Sequence, residues 1–191
     1  EKSSHNGIDT IAFGSGISLA DISFTRNSSD LDDLMIQIIG GGSIFLDEQF
    51  AKTGTPGIEA ITFSGGVSLG VDDIRLMMME PTQTVGDDTI YGFGGSNDVI
   101  EGGTGNDVLR GLEGDDTYIY DLGDGNDKLY ENAVSGSSDR LVLGEGITKS
   151  NVTLDPGFEL LKDLTIRFSD GGSVEIDQQR ASSGQGGVEF I

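Results

Sequence analysis

The 191 residues include 31 glycines, one histidine and no cysteine or tryptophan, and they carry a net charge of −22. So acidic a surface repels polyanions, which argues against nucleic acid and anionic membranes as partners, and the lack of cysteine excludes disulfides and thiolate metal sites. Hydrophobic residues make up 35% of the chain, a thin supply for a core, and no run approaches the roughly 18 apolar residues of a membrane span, so direct membrane insertion is not expected.

The opening EKSSHNGI has no apolar stretch of the kind a signal peptide needs, and the chain reads as a piece of a larger protein. Strands are expected near 10–13 and 21–25. Leu34, Ile36 and Ile38 then alternate, Gly40, Gly41 and Gly42 interrupt, and Ile44 and Leu46 resume the alternation. Period two around a glycine turn predicts a β-hairpin whose apolar face needs a neighbour. Residues 72–80, DDIRLMMME, form the one helix-like stretch. Its acids suit a helix N-terminus and Pro81 stops it; the methionines read as gap-filling packing.

Residues 1–61 align without a gap with 131–191, an offset of 130. Asp9 matches Asp139, and Gly14, Gly16 and Ile17 match Gly144, Gly146 and Ile147. Leu34 matches Leu164, and Gly41, Gly42 and Ser43 match Gly171, Gly172 and Ser173. The second copy should therefore form strands near 139–143 and 151–154. A second hairpin should run from Leu164, Ile166 and Phe168, through Asp170, Gly171 and Gly172, to Val174 and Ile176.

Between the copies, residues 84–131 are rich in Gly and Asp. Gly102-Gly103-Thr104-Gly105-Asn106-Asp107-Val108-Leu109-Arg110 fits the nonapeptide G-G-x-G-x-D-x-U-x, with U large and apolar, at every defined position. Residues 111–119 fit with Leu112 in place of the second glycine. Residues 93–101 depart at Phe93 and Ser96, and partial repeats stand at 85–91 and 123–130. The sixth-position aspartates are Asp88, Asp98, Asp107, Asp116 and Asp127, spaced 10, 9, 9 and 11 residues apart.

This pattern resembles the RTX family of secreted bacterial toxins, proteases, lipases and adhesins. The following DDTYIY, GDGND and DRLVL resemble the close of an RTX block and its strand-rich flank, as found in adenylate cyclase toxins and large adhesins of that family. The resemblance implies a six-residue turn and a three-residue strand per repeat, with two repeats in each coil of a parallel β-roll. Ile90, Ile100, Leu109, Tyr118 and Leu129 should then point inward. Asp88, Asp107 and Asp127 should line one side, and Asp98 and Asp116 the other. It further implies about two to three Ca²⁺ ions between stacked turns, between Asp88 and Asp107, Asp98 and Asp116, and Asp107 and Asp127. Carbonyl ligands are expected among Gly86, Gly94, Ser96, Gly103, Gly105, Gly111, Glu113, Gly114 and Gly125. Oxygen-only ligation through flexible loops suits Ca²⁺ better than Mg²⁺.

Other chemistry finds little footing. Gly102–Gly105 leads into acids with no G-K-[ST], so a phosphate cradle is not expected. Carboxylate pairs are too numerous to single out a glycosidase pair. Asp155-Pro156 reads as a turn rather than a self-cleaving bond, and His5 as an exposed terminal residue. The expected fold is all-β: a short parallel β-roll (84–131) flanked by two homologous strand-rich, hairpin- or sandwich-like capping units (1–83 and 132–191). The first is the C-terminal flank of a preceding RTX module and the second is truncated. The expected role is non-enzymatic: a monomeric calcium-binding module of a secreted bacterial protein, neighbouring further RTX modules and folding on extracellular Ca²⁺ after type I secretion. Alternatives are a calcium-stiffened stalk segment of a surface adhesin and a sugar-binding flank.

Overall fold

The computed structural model describes residues 7–27, 29–51, 57–80, 83–131, 138–155, 164–177 and 188–190. His5, Pro81 and Pro156 lie outside them. The chain divides into two compact units, Glu1–Met78 and Met79–Ile191. Strands dominate, one α-helix is present among the described residues, and the fold is all-β. Among the described residues no helix is long and apolar enough to cross a membrane.

In the N-terminal unit, β1 (Thr10–Phe13), β2 (Ile22–Asn27), β3 (Asp30–Ile38), β4 (Ser43–Leu46), β5 (Ala60–Phe63) and β6 (Ser68–Gly70) precede α1 (Val71–Met79). Strands β2, β3 and β4 form an antiparallel sheet with β3 in the centre. The expected hairpin is β3–β4, and Gly40 takes a positive φ of 70° in its turn. Leu34 and Ile36, two residues apart and so on one face, are fully buried. A second sheet pairs β1 in parallel with β5, and β5 antiparallel with β6. The helix falls within one residue of the expected span, and the Asp73 carboxylate accepts the Gly70 amide at its start.

The second unit begins with five roll strands: β7 (Thr89–Tyr91), β8 (Val99–Glu101), β9 (Val108–Leu112), β10 (Thr117–Tyr120) and β11 (Asn126–Glu131). They alternate between two parallel sheets, β7, β9 and β11 in one, β8 and β10 in the other. Ile90, Ile100, Leu109, Tyr118 and Leu129 are all buried, as the inward position of each repeat requires. Phe93 is also fully buried, although it stands where the repeat pattern has glycine.

After the roll come β12 (Asp139–Leu143), β13 (Val152–Asp155), β14 (Leu164–Phe168), β15 (Ser173–Asp177) and β16 (Val188–Phe190). In order they follow β1–β5 of the N-terminal unit. The register of β13 on β14 and of β14 on β15 is that of β2 on β3 and β3 on β4, shifted by 130. The short turns match too: the Ser18 amide donates to Asp21 and the Thr148 amide to Asn151. The flank is continuous with the roll. β15 adds in parallel to β11, and β12 in parallel to β10, so the two roll sheets grow into the two flank sheets. Tyr120 of the roll stacks on Phe168 of the flank, ring centroids 4.3 Å apart.

Candidate metal centre

The glycine-rich turns lie at the ends of the roll strands, stacked in two rows. Parallel pairing sets each turn over the turn two repeats away. In the first row the Asp88 amide donates to Asp107 Oδ1 at 2.8 Å, and the Asp107 amide to Asp127 Oδ1 at 3.0 Å. In the second row the Asp98 amide donates to Asp116 Oδ1 at 2.8 Å. All five sequence-identified aspartates are thus brought together on the sides expected. The second row goes one step further: the Asp116 amide donates to Asp139 Oδ1 at 3.0 Å. Asp139, the first residue of β12, therefore acts as a sixth-position aspartate without a nonapeptide around it.

The turns approach closely enough that glycine is required. A Cβ on Gly105 would run into the Gly86 carbonyl, one on Gly114 into the Ser96 carbonyl, and one on Gly125 into the Gly105 carbonyl. A Cβ on Gly111 would meet the Asp116 carboxylate, and one on Gly103 would sit 2.8 Å from the Thr84 carbonyl. Leu112, standing for the second glycine, is held at a φ of 76°, the same value as Gly103. Carbonyls of Gly86, Ser96 and Gly105 therefore face the next turn, as expected of donors; the Thr84 carbonyl does so too. The Glu113 carbonyl accepts the Gly95 amide. Gly94 has open space around its Cβ position. The Gly125 carbonyl is already engaged, accepting from the roll's Tyr120 hydroxyl at 2.9 Å and from the flank's Ser173 amide at 2.8 Å.

The carboxylates are crowded and largely dehydrated. Asp107 and Asp116 are buried, and the Oδ2 atom of each has no hydrogen-bond partner among the described residues. Burial, reinforced by neighbouring Asp98, Asp139 and Asp115, pushes the Asp116 carboxyl up to about 7, against an amide hydrogen bond that holds it down. Burial raises Asp127 to about 7, with Asp107 and Asp124 adding to it. Asp107 and Asp124 are raised for the same reasons. A buried carboxylate oxygen with no donor is costly unless a cation lies beside it. Hard oxygen ligands, flexible carbonyl turns and no nitrogen or sulfur donor match the coordination preferences of Ca²⁺.

At the junction of roll and flank, carboxylate oxygens of Asp116, Glu131 and Asp139 all lie within 4.8 Å of one another. Burial first, then Asp139 and Asp116, push Glu131 up to about 8, although the Tyr118 hydroxyl donates to it. Glu131 and Asp139 were missed from the sequence because neither stands at the sixth position of a nonapeptide. A further, outer row was also missed. Asn106 takes Asp87 as acceptor for its amide and its Nδ2, Asn126 Nδ2 donates to Asn106 Oδ1, and Ser173 Oγ donates to Asn126 Oδ1. These side chains occupy a position the nonapeptide pattern leaves undefined.

Stacked glycine turns with rows of shared carboxylates define a parallel β-roll built to hold hard cations. Residues 84–97 and 94–129 match the family model of the RTX calcium-binding nonapeptide repeat (4 copies), so this stretch of the chain is an RTX calcium-binding module. Among solved structures, the crystal structure of extracellular lipase LipA from Serratia marcescens is similar at 16% identity, covering 92% of this chain and 32% of that one, with a TM-score of 0.35. The chain thus corresponds to less than a third of that protein's length. No curated protein sequence matches the chain.

Proposed function

We propose that the second unit is a calcium-dependent folding module of a secreted bacterial protein, exported unfolded and closed by Ca²⁺ outside the cell. The observation that carries this reading is two buried carboxylate oxygens, one on Asp107 in the first row and one on Asp116 in the second, with no donor among the described residues. Ions lie between Asp88 and Asp107, between Asp98 and Asp116, and between Asp107 and Asp127. The second row ends on Asp116 and Asp139, where Glu131 supplies another carboxylate. Backbone carbonyls complete each shell, and the bound ion neutralises charges that otherwise repel.

Without metal at neutral pH, the roll has only one or two inward apolar side chains per short strand to set against chain entropy and like-charge repulsion. Binding energy then becomes folding energy. Submicromolar calcium in the cytosol leaves the roll open and able to pass a narrow export channel, and millimolar calcium outside closes it. The role is binding and assembly rather than catalysis.

Far-UV circular dichroism of the whole chain during calcium titration, with magnesium as control, tests this. A cooperative gain of β-signal is expected between about 10⁻⁴ and 10⁻³ M Ca²⁺, the range of extracellular modules, and none with Mg²⁺. A β-signal already complete in chelator and unchanged by calcium overturns the folding switch.

A further inference from the structure

We infer that the N-terminal unit is itself a cap, and that the open edges of β1 and β4 receive the last two strands of a second β-roll. The inference rests on the roll–flank arrangement of the second unit and on the calcium reading of the roll. In the flank, β12 and β15 each pair on one side with a roll strand, β10 and β11 respectively. Their counterparts at offset 130 are β1 and β4. Both are edge strands in their sheets. The N-terminal unit is therefore the flank with its two roll strands taken away.

The residues that would face the missing strands carry the mark of that removal. Leu141, Val174 and Ile176 are 0% exposed in the flank, whereas their counterparts Ile11, Ile44 and Leu46 are half-buried. Two glycines say the same more sharply. In the flank, a Cβ at Gly172 would strike the Tyr120 hydroxyl and sit 2.7 Å from the Gly125 carbonyl, and a Cβ at Gly144 would strike the Asp121 carboxylate. All of these obstacles belong to the roll. Gly42 and Gly14 stand at the same places in the N-terminal unit, with nothing among the described residues within 4 Å of their Cβ positions. Neither has a positive φ, so the backbone does not call for glycine there. The room they leave is the room a roll turn takes up in the other copy.

The occupant is set by the same comparison. It is the final coil of a roll built like residues 83–131, adding one parallel strand to each open edge by backbone pairing. In the flank, Tyr118 lies opposite Leu141 and Leu129 opposite Ile176. The equivalent inward side chains of the second roll would lie opposite Ile11 and Leu46. Glu1 aligns in sequence with Glu131 and Asp9 with Asp139, so the two linking segments have the same number of residues and the same two carboxylates.

The test is a chain in which residues 83–130 are duplicated ahead of Glu1, so that Glu1 follows a copy of Tyr130. Amide hydrogen exchange is followed with and without calcium. In calcium, amides on the open edges of Thr10–Phe13 and Ser43–Leu46 should slow by about tenfold or more relative to the unextended chain. Gly42→Val should abolish that slowing in the extended chain and leave exchange in the unextended chain as it was. Native β12 and β15 serve as the internal control. Calcium-dependent protection of β12 and β15 without protection of β1 and β4 overturns this inference alone. So does an added roll that takes up no extra calcium while the native roll does, because the cap then fails to cap. Loss of calcium response at both places overturns the calcium reading, and this inference with it.

Discussion

The N-terminal unit and the roll are both made of short strands, yet they are held together by different means. In the N-terminal unit, Leu34 and Ile36 are fully buried on one face of β3, and Phe13 stacks on Phe63 with centroids 5.4 Å apart. Ordinary apolar burial accounts for it. The roll also buries its inward side chains, but it brings Asp107, Asp116, Asp127 and Asp139 out of water alongside them. Under the function proposed above, one region is stable by what its sequence already contains and the other is completed by an ion, so that the same backbone chemistry gives a constitutive fold in one place and a conditional one in the other.

The largest effect that separates the two regions should come from Asp116→Asn. The amide keeps an oxygen to accept the Asp98 N–H but removes the charge shared by two turns of the second row. Calcium titration should lose at least one bound ion and move to higher calcium, while exchange protection of β2 and β3 in the N-terminal unit stays constant. Unchanged stoichiometry would show that the second row holds no ion.

Acidity should discriminate next. In the metal-free chain, Asp116 and Asp127 are raised to about 7 from 3.8, and Glu131 to about 8 from 4.5. A raised carboxyl binds its proton more tightly when folded, so this contribution is full below the unfolded values and is lost as pH rises through the folded ones. Between about pH 8 and pH 4, acidification should therefore stabilise the calcium-free roll. The check is the β-signal in chelator, which should grow as pH falls from 8 to 5. A signal that falls or stays flat contradicts the burial of these carboxyls.

The converse mutation is Leu34→Ala. A fully buried leucine truncated to alanine costs about 2–5 kcal/mol. That loss should appear in the exchange protection of β2, β3 and β4, with calcium stoichiometry unchanged. A shift in the calcium midpoint would mean that the N-terminal unit contributes to the roll's ion sites.

Much of this organisation was legible in the sequence, for identifiable reasons. The hairpins were visible because apolar residues alternate around glycine, and Leu34, Ile36, Ile166 and Val174 are buried as that alternation requires. The roll was visible because close turn stacking admits only glycine at a few positions and needs aspartate at one. Asp139 and Glu131 were not visible as roll residues. Their places come from the pairing of β12 on β10 and β11 on β9, a tertiary fact with no local motif. Phe93 was masked differently: it breaks the repeat pattern, yet its ring is fully buried and its amide donates to Asp98.

The smallest expected effect lies one residue from the largest charges. Asn106 precedes Asp107, and its side chain points to the outer row, where it bridges Asp87 and Asn126 across three stacked turns. These bonds are exposed, join groups that water can also satisfy, and involve no buried oxygen. Asn106→Ala should therefore cost about 1 kcal/mol, the net worth of ordinary hydrogen bonds, and leave the number of bound ions unchanged. Asp107→Asn, the neighbouring change, should lose calcium from the first row. If Asn106→Ala instead abolished an ion, the outer row would belong to the metal shell, and the division between a neutral hydrogen-bonded edge and a charged inner row would have to be redrawn.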